Sequence, residues 1–418
     1  TQSRKSNKTK TEKKKYKEKR ISNYNQLKSQ NMIYILYAFL ATLPWFIVKF
    51  TIGHPNPIVQ TILTGLSIIG SGFMLTWASD GSRKFISGAL AIAIVALLAV
   101  LPEYSVDIYL SWKSGINEEY THYAVANMTG ANRLLIGIGW TVILFIHFFK
   151  TKKSEIIFDR SLMEELVILF VATVWSIGIF FKKNISLVDS LILGGLFIFY
   201  ILRASKKEIE ELEEEFEPVK TIQSLPPKKS ILLIIFMFFW AGLSIFISAE
   251  AFAEGLINIG KKLGVSEFLL IQWLAPLASE APEFVVTIIW ATRGRGKDAM
   301  RALVSSKVNQ WTLLIACIPL AFTISKIYHA TGDYVSPMPM DSRQQWEILL
   351  TAAQSLLAFF ILLDLNFSII EASILLILFL SQFIFEHIRE EITFVYFALC
   401  IPMILYKFGK IRMPFRKK

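Results

Sequence analysis

The sequence predicts an all-α integral membrane protein, because apolar runs long enough to cross roughly 30 Å of hydrocarbon occur about twelve times. Hydrophobic residues make up 54% of the 418 positions and charged residues 18%, a composition typical of chains surrounded mostly by lipid. Lipid cannot satisfy backbone polar groups, and these runs are longer than barrel strands, so each run predicts a helix. The predicted spans are residues 31–49, 57–80, 85–112, 121–149, 161–181, 185–203, 230–259, 265–292, 300–325, 342–363, 366–386 and 392–409.

The formal charge of +11 is concentrated in the first residues of the chain. Residues 1–30 carry eleven Lys or Arg and two Asp or Glu, a net charge of +9, so the remainder is nearly neutral. A basic segment before a first span is typical of the cytoplasmic side of a membrane and contacts anionic lipid. We therefore interpret the charge as an orientation signal and not as a nucleic-acid-binding surface. An even number of spans then predicts that both termini of a cell-membrane protein are cytoplasmic.

Similar motifs occur in the two halves of the chain. Residues 98–110, LAVLPEYSVDIYL, align without gaps on residues 278–290, ASEAPEFVVTIIW, so that Glu103 matches Glu283. Counted from the basic tail, the two glutamates lie on spans of opposite direction. Inverted repeats of this kind build a two-sided binding site near the membrane centre in many secondary transporters. The sequence therefore predicts two inverted repeats of five helices each, with one extra helix at each end.

The spans that follow the two motifs also match loosely, with Asn132 opposite Asn309. Between the halves, seven glutamates fall within residues 208–217, a pattern typical of a solvated connector. We predict six segments: a basic cytoplasmic tail (1–30), an extra helix and loop (31–56), a first repeat (57–203), an acidic cytoplasmic linker (204–229), a second repeat (230–386), and an extra helix with a basic tail (387–418).

The two Pro-Glu pairs predict a cation site. Proline removes a backbone donor, so we expect it to break each helix before its glutamate and to free carbonyl oxygens. A charged side chain at the membrane centre costs roughly 2.5–3.5 kcal/mol, and therefore normally faces a partner or a wet cavity. Two glutamates would neutralise one divalent ion. Calcium, which takes about six to eight oxygen ligands, suits this arrangement better than magnesium.

Helical spacing selects further candidate ligands near the two glutamates. Asp107 lies on the same helical face as Glu103, and Glu280 precedes Glu283 by three residues. Lys307 projects away from the predicted ligands of its own span, and its role is left open between a salt bridge and an internal cation that competes with the ion. The predicted cation ligands are Glu103, Glu283, Asn132, Asn309, Ser305, Ser279, Asp107 and Glu280.

The second half resembles the second alpha repeat of the calcium/cation antiporter superfamily, especially the sodium/calcium exchangers, in AEAFAEGLINIGKKLGVSEFLLIQWLAPLASEAPE and the following ALVSSKVNQ. The first half resembles the partner repeat in LAVLPEYSVDI and AVANMTGANRLL, and the similarity covers residues 57–386. The resemblance implies that the Pro-Glu glutamates bind calcium or sodium, that the asparagine of the next span assists, and that hydroxyls hold sodium. By position these roles fall on Glu103, Glu283, Asn132, Asn309, Ser305 and Ser279.

Departures from the family pattern affect the expected coupling ion. Gly-Thr-Ser-Leu-Pro-Glu is replaced by LAVLPE and ASEAPE, so Ala99 and Val100 replace hydroxyls and Glu280 replaces another. Sodium ligands are therefore fewer and carboxylates more numerous. The resemblance implies exchange of calcium for sodium or protons, with no cofactor beyond these ions.

The sequence thus predicts a secondary active cation antiporter that works by alternating access, and not an enzyme. An uncoupled cation channel lined by the same carboxylates is one alternative; it would conduct without dependence on a counter-ion. A membrane-embedded hydrolase is another, although the sequence contains no nucleophile elbow or phosphate-binding glycine loop. The expected partners are the ions and membrane lipid, with the oligomeric state left open.

Overall fold

The computed structural model of the protein is built mainly of helices. It describes residues 32–53, 55–85, 98, 100–204, 217–331 and 335–412. The helices in these ranges are α1 (Met32–Thr51), α2 (Pro57–Ser82), α3 (Leu101–Ser114), α4 (Glu119–Thr151), α5 (Met163–Lys182), α6 (Leu187–Ala204), α7 (Glu217–Gln223), α8 (Pro227–Leu263), α9 (Glu267–Thr292), α10 (Gly296–His329), α11 (Ser342–Leu362), α12 (Ile369–Ile384) and α13 (Arg389–Arg412).

The predicted fold class is confirmed. Within the described ranges, nine helices are long and apolar enough to span a membrane, and α12 is a shorter apolar helix. Each predicted span overlaps one helix, although the span predicted at 85–112 is mostly described from residue 100 onward, where α3 begins. The basic tail and most of the acidic linker lie outside the described residues.

Local sequence determines several helix ends. The Asn56 side chain caps α2 by accepting a hydrogen bond from the Ile58 amide, and Pro57 occupies the first turn. Asp341 caps α11 and Ser368 caps α12, each in a reciprocal capping box. These caps begin each helix at a defined residue and so set which side chains face the centre of the bundle.

Two long helices change winding at related places. α4 is π-helical at Leu135–Trp140, and α10 is π-helical at Gln310–Leu314. Asn132 and Lys307 each lie three residues before the π segment, so the winding pairs these two residues. The sequence alignment instead paired Asn132 with Asn309, two residues further along. A loose match of short polar motifs does not fix helical register, whereas the change in winding does.

Short antiparallel strands join the connections of the two halves. Strand β1 (Glu155–Ile157) precedes α5 and pairs with β4 (Asn366–Ser368), which precedes α12. Strand β2 (Asn184–Ile185) precedes α6 and pairs with β3 (Met338–Pro339), which precedes α11. Under the predicted repeats α5 corresponds to α11 and α6 to α12. Strand β1 then corresponds to β3 and β4 to β2, so the repeat relation converts one strand pair into the other.

Buried apolar side chains form three clusters. The largest joins α4, α5, α6, α10, α11, α12 and α13. A second lies among α2, α3, α4, α8 and α9, and a third joins α1, α2, α7 and α8. We call the part of the molecule around the largest cluster the frame. The helices α1, α2 and α8 therefore pack together, and α2 and α8 meet the rest of the bundle mainly at α3 and α9.

A buried ion network connects α13 to the centre of the bundle. Glu347 of α11 is 1% exposed, and its Oε1 pairs with Arg389 Nε of α13 at 2.6 Å. Its Oε2 accepts hydrogen bonds from Arg133 of α4 and, at 2.9 Å, from Gln272 of α9. One carboxylate thus joins four helices.

Gly130 of α4 allows α9 to approach closely. A Cβ atom at Gly130 would lie 1.8 Å from the Gln272 backbone oxygen. Pro276, four residues after Gln272, lacks the N–H that would otherwise bind this oxygen. We expect Gly130→Ala to destabilise the protein by at least ~1–3 kcal/mol, because an added methyl group overpacks a tight helix contact.

The measurement is the apparent melting temperature of the purified protein in detergent. Gly178→Ala of α5 is the matched control, since a Cβ there meets nothing within 4 Å and alanine favours a helix. We expect Gly178→Ala to melt at or above the wild-type temperature. A Gly130→Ala variant as stable as the wild type would contradict the close helix contact.

Candidate cation-binding site

A cavity of about 400 Å³ lies among α2, α3, α6, α9 and α10. Its deep end contains Glu103 and Glu280, which are 7% and 3% exposed. Arg83, just after the C-terminal end of α2, is its exposed lining residue, so we take the end of the cavity at Asp80 and Arg83 as its mouth. Six of the predicted ligands line this cavity: Glu103, Glu280, Glu283, Ser279, Ser305 and Asn309.

Proline positions two of these glutamates, but not by breaking both helices as predicted. Pro102 lies in the first turn of α3, where a missing N–H costs no helical hydrogen bond, and Glu103 follows it. α9 continues through Pro282 as one helix, so the expected break before Glu283 is absent. Packing explains the continuity, because neighbouring helices support proline inside a membrane helix. A Cβ atom at Gly72 of α2 would lie 2.5 Å from the Pro282 ring.

Three carboxylates line the inner part of the cavity and interact electrostatically. Glu283 Oε2 accepts a hydrogen bond from the Ser306 hydroxyl at 2.8 Å, and Glu280 Oε1 accepts one from Gln310 Nε2 at 3.1 Å. Within the described part of the chain, Glu103 Oε1 and Glu280 Oε2 have no hydrogen-bond partner. The charges of the three glutamates act on one another. Because buried like charges repel, a bound cation would stabilise this arrangement.

Other predicted ligands in the cavity wall already have protein partners. Asn309 Oδ1 accepts a hydrogen bond from the Tyr104 hydroxyl at 2.7 Å, and Ser305 is hydrogen-bonded to the Tyr200 hydroxyl at 2.7 Å. The Ser279 hydroxyl donates to backbone carbonyls of its own helix at 3.2 Å. These oxygens are near the carboxylates but take part in contacts that bind helices together.

The sequence prediction missed Ser306 and Gln310. It selected Ser305 and Asn309, which share an adjacent face of the same helix. The polar run SSKVNQ contains two pairs at a spacing of four residues, and the later pair is the one that contacts the glutamates. That second spacing was the available signal.

Asn132 lies outside the cavity wall and contacts Lys307. Lys307 is fully buried, and its Nζ donates to Asn132 Oδ1 at 2.6 Å while standing 4.4 Å from the centre of the Trp311 ring. Its charge also acts on Glu280. The helical projection placed Lys307 away from the site because it considered only the ligands of α10, whereas α4 brings Asn132 to the opposite face. A basic side chain therefore lies beside the acidic cavity.

Asp107, the last predicted ligand, also lies outside the cavity wall. It is fully buried on α3, one turn beyond Glu103 and farther from the mouth. Of the eight predicted ligands, the structure thus brings six to one cavity and leaves Asn132 and Asp107 in neighbouring positions.

The end of the bundle opposite the mouth is held by hydrogen bonds. Glu254 Oε1 of α8 accepts hydrogen bonds from the Tyr109 hydroxyl of α3 at 2.7 Å and the Tyr120 hydroxyl of α4 at 2.5 Å. Lys113 lies 3.9 Å from Glu250 in the same region. These contacts and the second apolar cluster connect α3, α4 and α8 on the side away from the cavity.

Oxygen dominates the chemistry of the cavity, which suits a hard cation such as calcium. In the ranges that the structure describes, no three His, Cys, Asp or Glu side chains come together as a ready metal site. The three glutamates alone therefore do not form a closed metal site, and an ion would also need neutral oxygen ligands.

A multi-pass helix bundle with an acidic cavity open at one end is the architecture of an ion transporter. The family model described as "Sodium/calcium exchanger protein" matches residues 56–206 and 233–386. The chain belongs to this sodium/calcium exchanger family, whose members are transporters and not enzymes.

One curated relative and several solved structures are similar to this chain. The uncharacterized membrane protein MJ0091 of Methanocaldococcus jannaschii is 26% identical over 261 residues, covering 60% of this chain and 77% of its own. The crystal structure of the H+/Ca2+ exchanger CAX has a TM-score of 0.86 and 42% identity, covering 93% of this chain and 98% of that one. The sodium-calcium exchanger NCX_Mj, at TM-score 0.51 and 17% identity over 78% and 97% of the two chains, shares the fold.

The predicted family and the class of cation antiporter are confirmed. The family assignment does not favour an uncoupled channel and sets aside a membrane-embedded hydrolase. The roles of the eight predicted ligands stay predictions.

Proposed function

We propose that the protein exchanges calcium for sodium or protons across a membrane, with Glu103 and Glu283 as the central ligands. The observation that carries this proposal is the joint cavity wall, to which α3 and α9 each contribute a Pro-Glu glutamate. Glu280 adds a third carboxylate, and its free Oε2, with Glu103 Oε1, supplies oxygens for an ion. Calcium prefers such carboxylate oxygens together with neutral oxygen ligands.

Access from one side at a time supports exchange over free conduction. The cavity is open toward Asp80, whereas Glu254 and two tyrosines join helices at the other end. An exchanger reverses this arrangement in each cycle, and the ion site stays near the centre. The tyrosine contacts would then break, and the helices around Asp80 would close over the carboxylates.

The inverted repeats and their boundaries, 57–203 and 230–386, belong to this proposal. The two π segments, the exchanged strand pairs and the division of the family match into two parts support it. We also propose that the ions are the sole ligands needed for exchange, without a cofactor.

We propose a cell-membrane location with both termini in the cytoplasm and contact between the basic tail and anionic lipid. Basic residues occur in several connections on the side of the cavity mouth, including Arg83, Lys152 and Arg293. The excess of Lys and Arg on cytoplasmic connections supports this orientation. The cavity then opens toward the cytoplasm.

The proposal is tested by calcium uptake into proteoliposomes that contain the full chain. We expect uptake to be driven by an outward gradient of sodium or, in a separate experiment, of protons, and to stop when the gradient is dissipated. The similarity to an H+/Ca2+ exchanger is the reason for testing the proton gradient separately from the sodium gradient. Uptake that follows the calcium gradient alone, with no counter-ion effect, would support a channel and reject exchange.

A further inference from the structure

A second group of buried oxygen atoms lies one helical turn beyond the cavity. Asp107 follows Glu103 by four residues on α3, so both lie on one face, but Asp107 is on the side away from the mouth. Asp107 is 0% exposed. Asn127 is close enough to act on this carboxylate, but within the described residues no donor meets hydrogen-bond geometry with either carboxylate oxygen.

Two neutral side chains accompany this carboxylate. Ser111 is one further turn along the same face of α3 and is 0% exposed; Asn127 of α4 is 2% exposed and lies beside Asp107. Ser111 Oγ and Asn127 Oδ1 are likewise unpartnered among the residues described. Four oxygens from two packed helices thus lie in one buried region with unused capacity to bind.

The group around Asp107 lacks a positive charge among the residues described. The titratable side chains that interact electrostatically with it in the described chain are Glu103, Tyr104 and Cys317, and none of them is basic. An ionised carboxylate without a partner is costly in a buried site, and unpaired polar oxygens add to this cost. A bound cation would satisfy both the charge and the oxygens.

We propose that Asp107, Ser111 and Asn127 form a second cation subsite that binds one sodium ion. A single carboxylate balances one positive charge, whereas calcium needs about six to eight oxygens and a second charge. A proton on Asp107 would also neutralise the charge and would donate to Asn127 Oδ1, so the test below holds the pH constant and varies sodium alone. This inference rests on the proposed exchange, because it gives the monovalent counter-ion a position separate from the three cavity glutamates.

Ser114 provides a matched control for Ser111. Both serines are buried on α3, but the Ser114 hydroxyl already donates a hydrogen bond to the Ser111 backbone oxygen at 2.7 Å. Loss of the Ser114 hydroxyl removes a local helix contact, whereas loss of the Ser111 hydroxyl removes a proposed ion ligand. The two alanine variants therefore separate helix stability from ion binding.

The test measures the apparent melting temperature of the full chain in detergent, without calcium, as sodium chloride replaces choline chloride at constant ionic strength and pH. An ion that binds the folded state raises this temperature until the site is saturated. We expect Asp107→Asn and Ser111→Ala to raise the half-saturating sodium concentration at least ~10-fold, as expected for the loss of a ligand or its support. Ser114→Ala should respond as the wild type does.

A calcium titration in sodium-free buffer separates the two sites. We expect Asp107→Asn to change the half-saturating calcium concentration less than the half-saturating sodium concentration. Equal losses for both ions would place Asp107 in the calcium site and overturn the separate subsite. Two results would overturn the sodium assignment. One is a wild-type melting temperature that does not change when sodium replaces choline; the other is a melting temperature that depends on pH but not on sodium.

If Asp107→Asn does not fold, Ser111→Ala decides, and an unchanged sodium response in that variant rejects the subsite. Failure of the underlying exchange gives a different result. In that case calcium neither stabilises the wild type nor enters proteoliposomes under any counter-ion gradient.

Discussion

Replacing Glu103 or Glu283 by glutamine is expected to abolish counter-ion-driven calcium uptake. Each substitution removes one negative charge from the deep end of the cavity while keeping the shape of the side chain. Because the ligand itself is lost, we expect calcium affinity to fall by more than the ~10–100-fold that follows loss of a supporting contact. The measurement is initial uptake in proteoliposomes, with calcium binding to the detergent-solubilised protein measured in parallel.

Glu390→Gln is the matched control for these variants. Glu390 lies in the first turn of α13 and is exposed, outside the cavity wall. We expect its uptake to equal that of the wild type. Undiminished uptake in both Glu103→Gln and Glu283→Gln would reject the carboxylate cavity as the transport site, even if the chain is an antiporter.

The second large effect is expected at Glu347, where a substitution lowers the stability of the folded protein. Glu347→Ala would leave Arg133, 2% exposed, and the partly buried Arg389 without their shared carboxylate. Breaking a buried pair by removing one partner costs about 3–5 kcal/mol, because the remaining charge is uncompensated. We expect a much lower apparent melting temperature and loss of the monodisperse peak in size-exclusion chromatography.

Asp159→Ala tests whether the loss of an exposed ion pair lowers the melting temperature as much as the loss of Glu347 does. Asp159 is exposed outside the membrane-spanning segments, where the Lys297 ammonium holds the pKa of its carboxyl below the usual range. Exposed ion pairs are screened by water and contribute little to stability. We therefore expect a small change in this variant. If the melting temperature falls equally in the Glu347 and Asp159 variants, burial does not determine how much an ion pair contributes to stability.

The positions of the spans were predictable because lipid imposes a length on every apolar run. The same physics explains why charged partners were not. Lys407, inside the span predicted at 392–409, is fully buried and pairs with Asp364 and Glu371 at 2.6 Å. The sequence reveals the cost of burying this lysine, but its partners lie in the turn after α11 and in the first turn of α12, which only the fold brings close.

The candidate site was predictable in part: six of the eight predicted ligands line the cavity, and Ser306 and Gln310 were missed by one helical position. The Pro-Glu motif identified Glu103 and Glu283, since charged residues near a membrane centre need a polar environment. The motif did not show whether Ser305 or Ser306 faces Glu283, because neighbouring residues on a helix differ by about 100° in direction. That rotation depends on the packing of α10 against α4, α6 and α9.

The two strand pairs affect how the molecule can deform. β1–β4 and β2–β3 clamp connections of the frame at both rims, whereas α1, α2 and α8 join it without such a strand in the described chain. Mechanical compliance is thus concentrated along one seam. If the protein exchanges ions as proposed, we expect an antibody fragment that bridges this seam to arrest turnover and one confined to the clamped side to leave it unchanged.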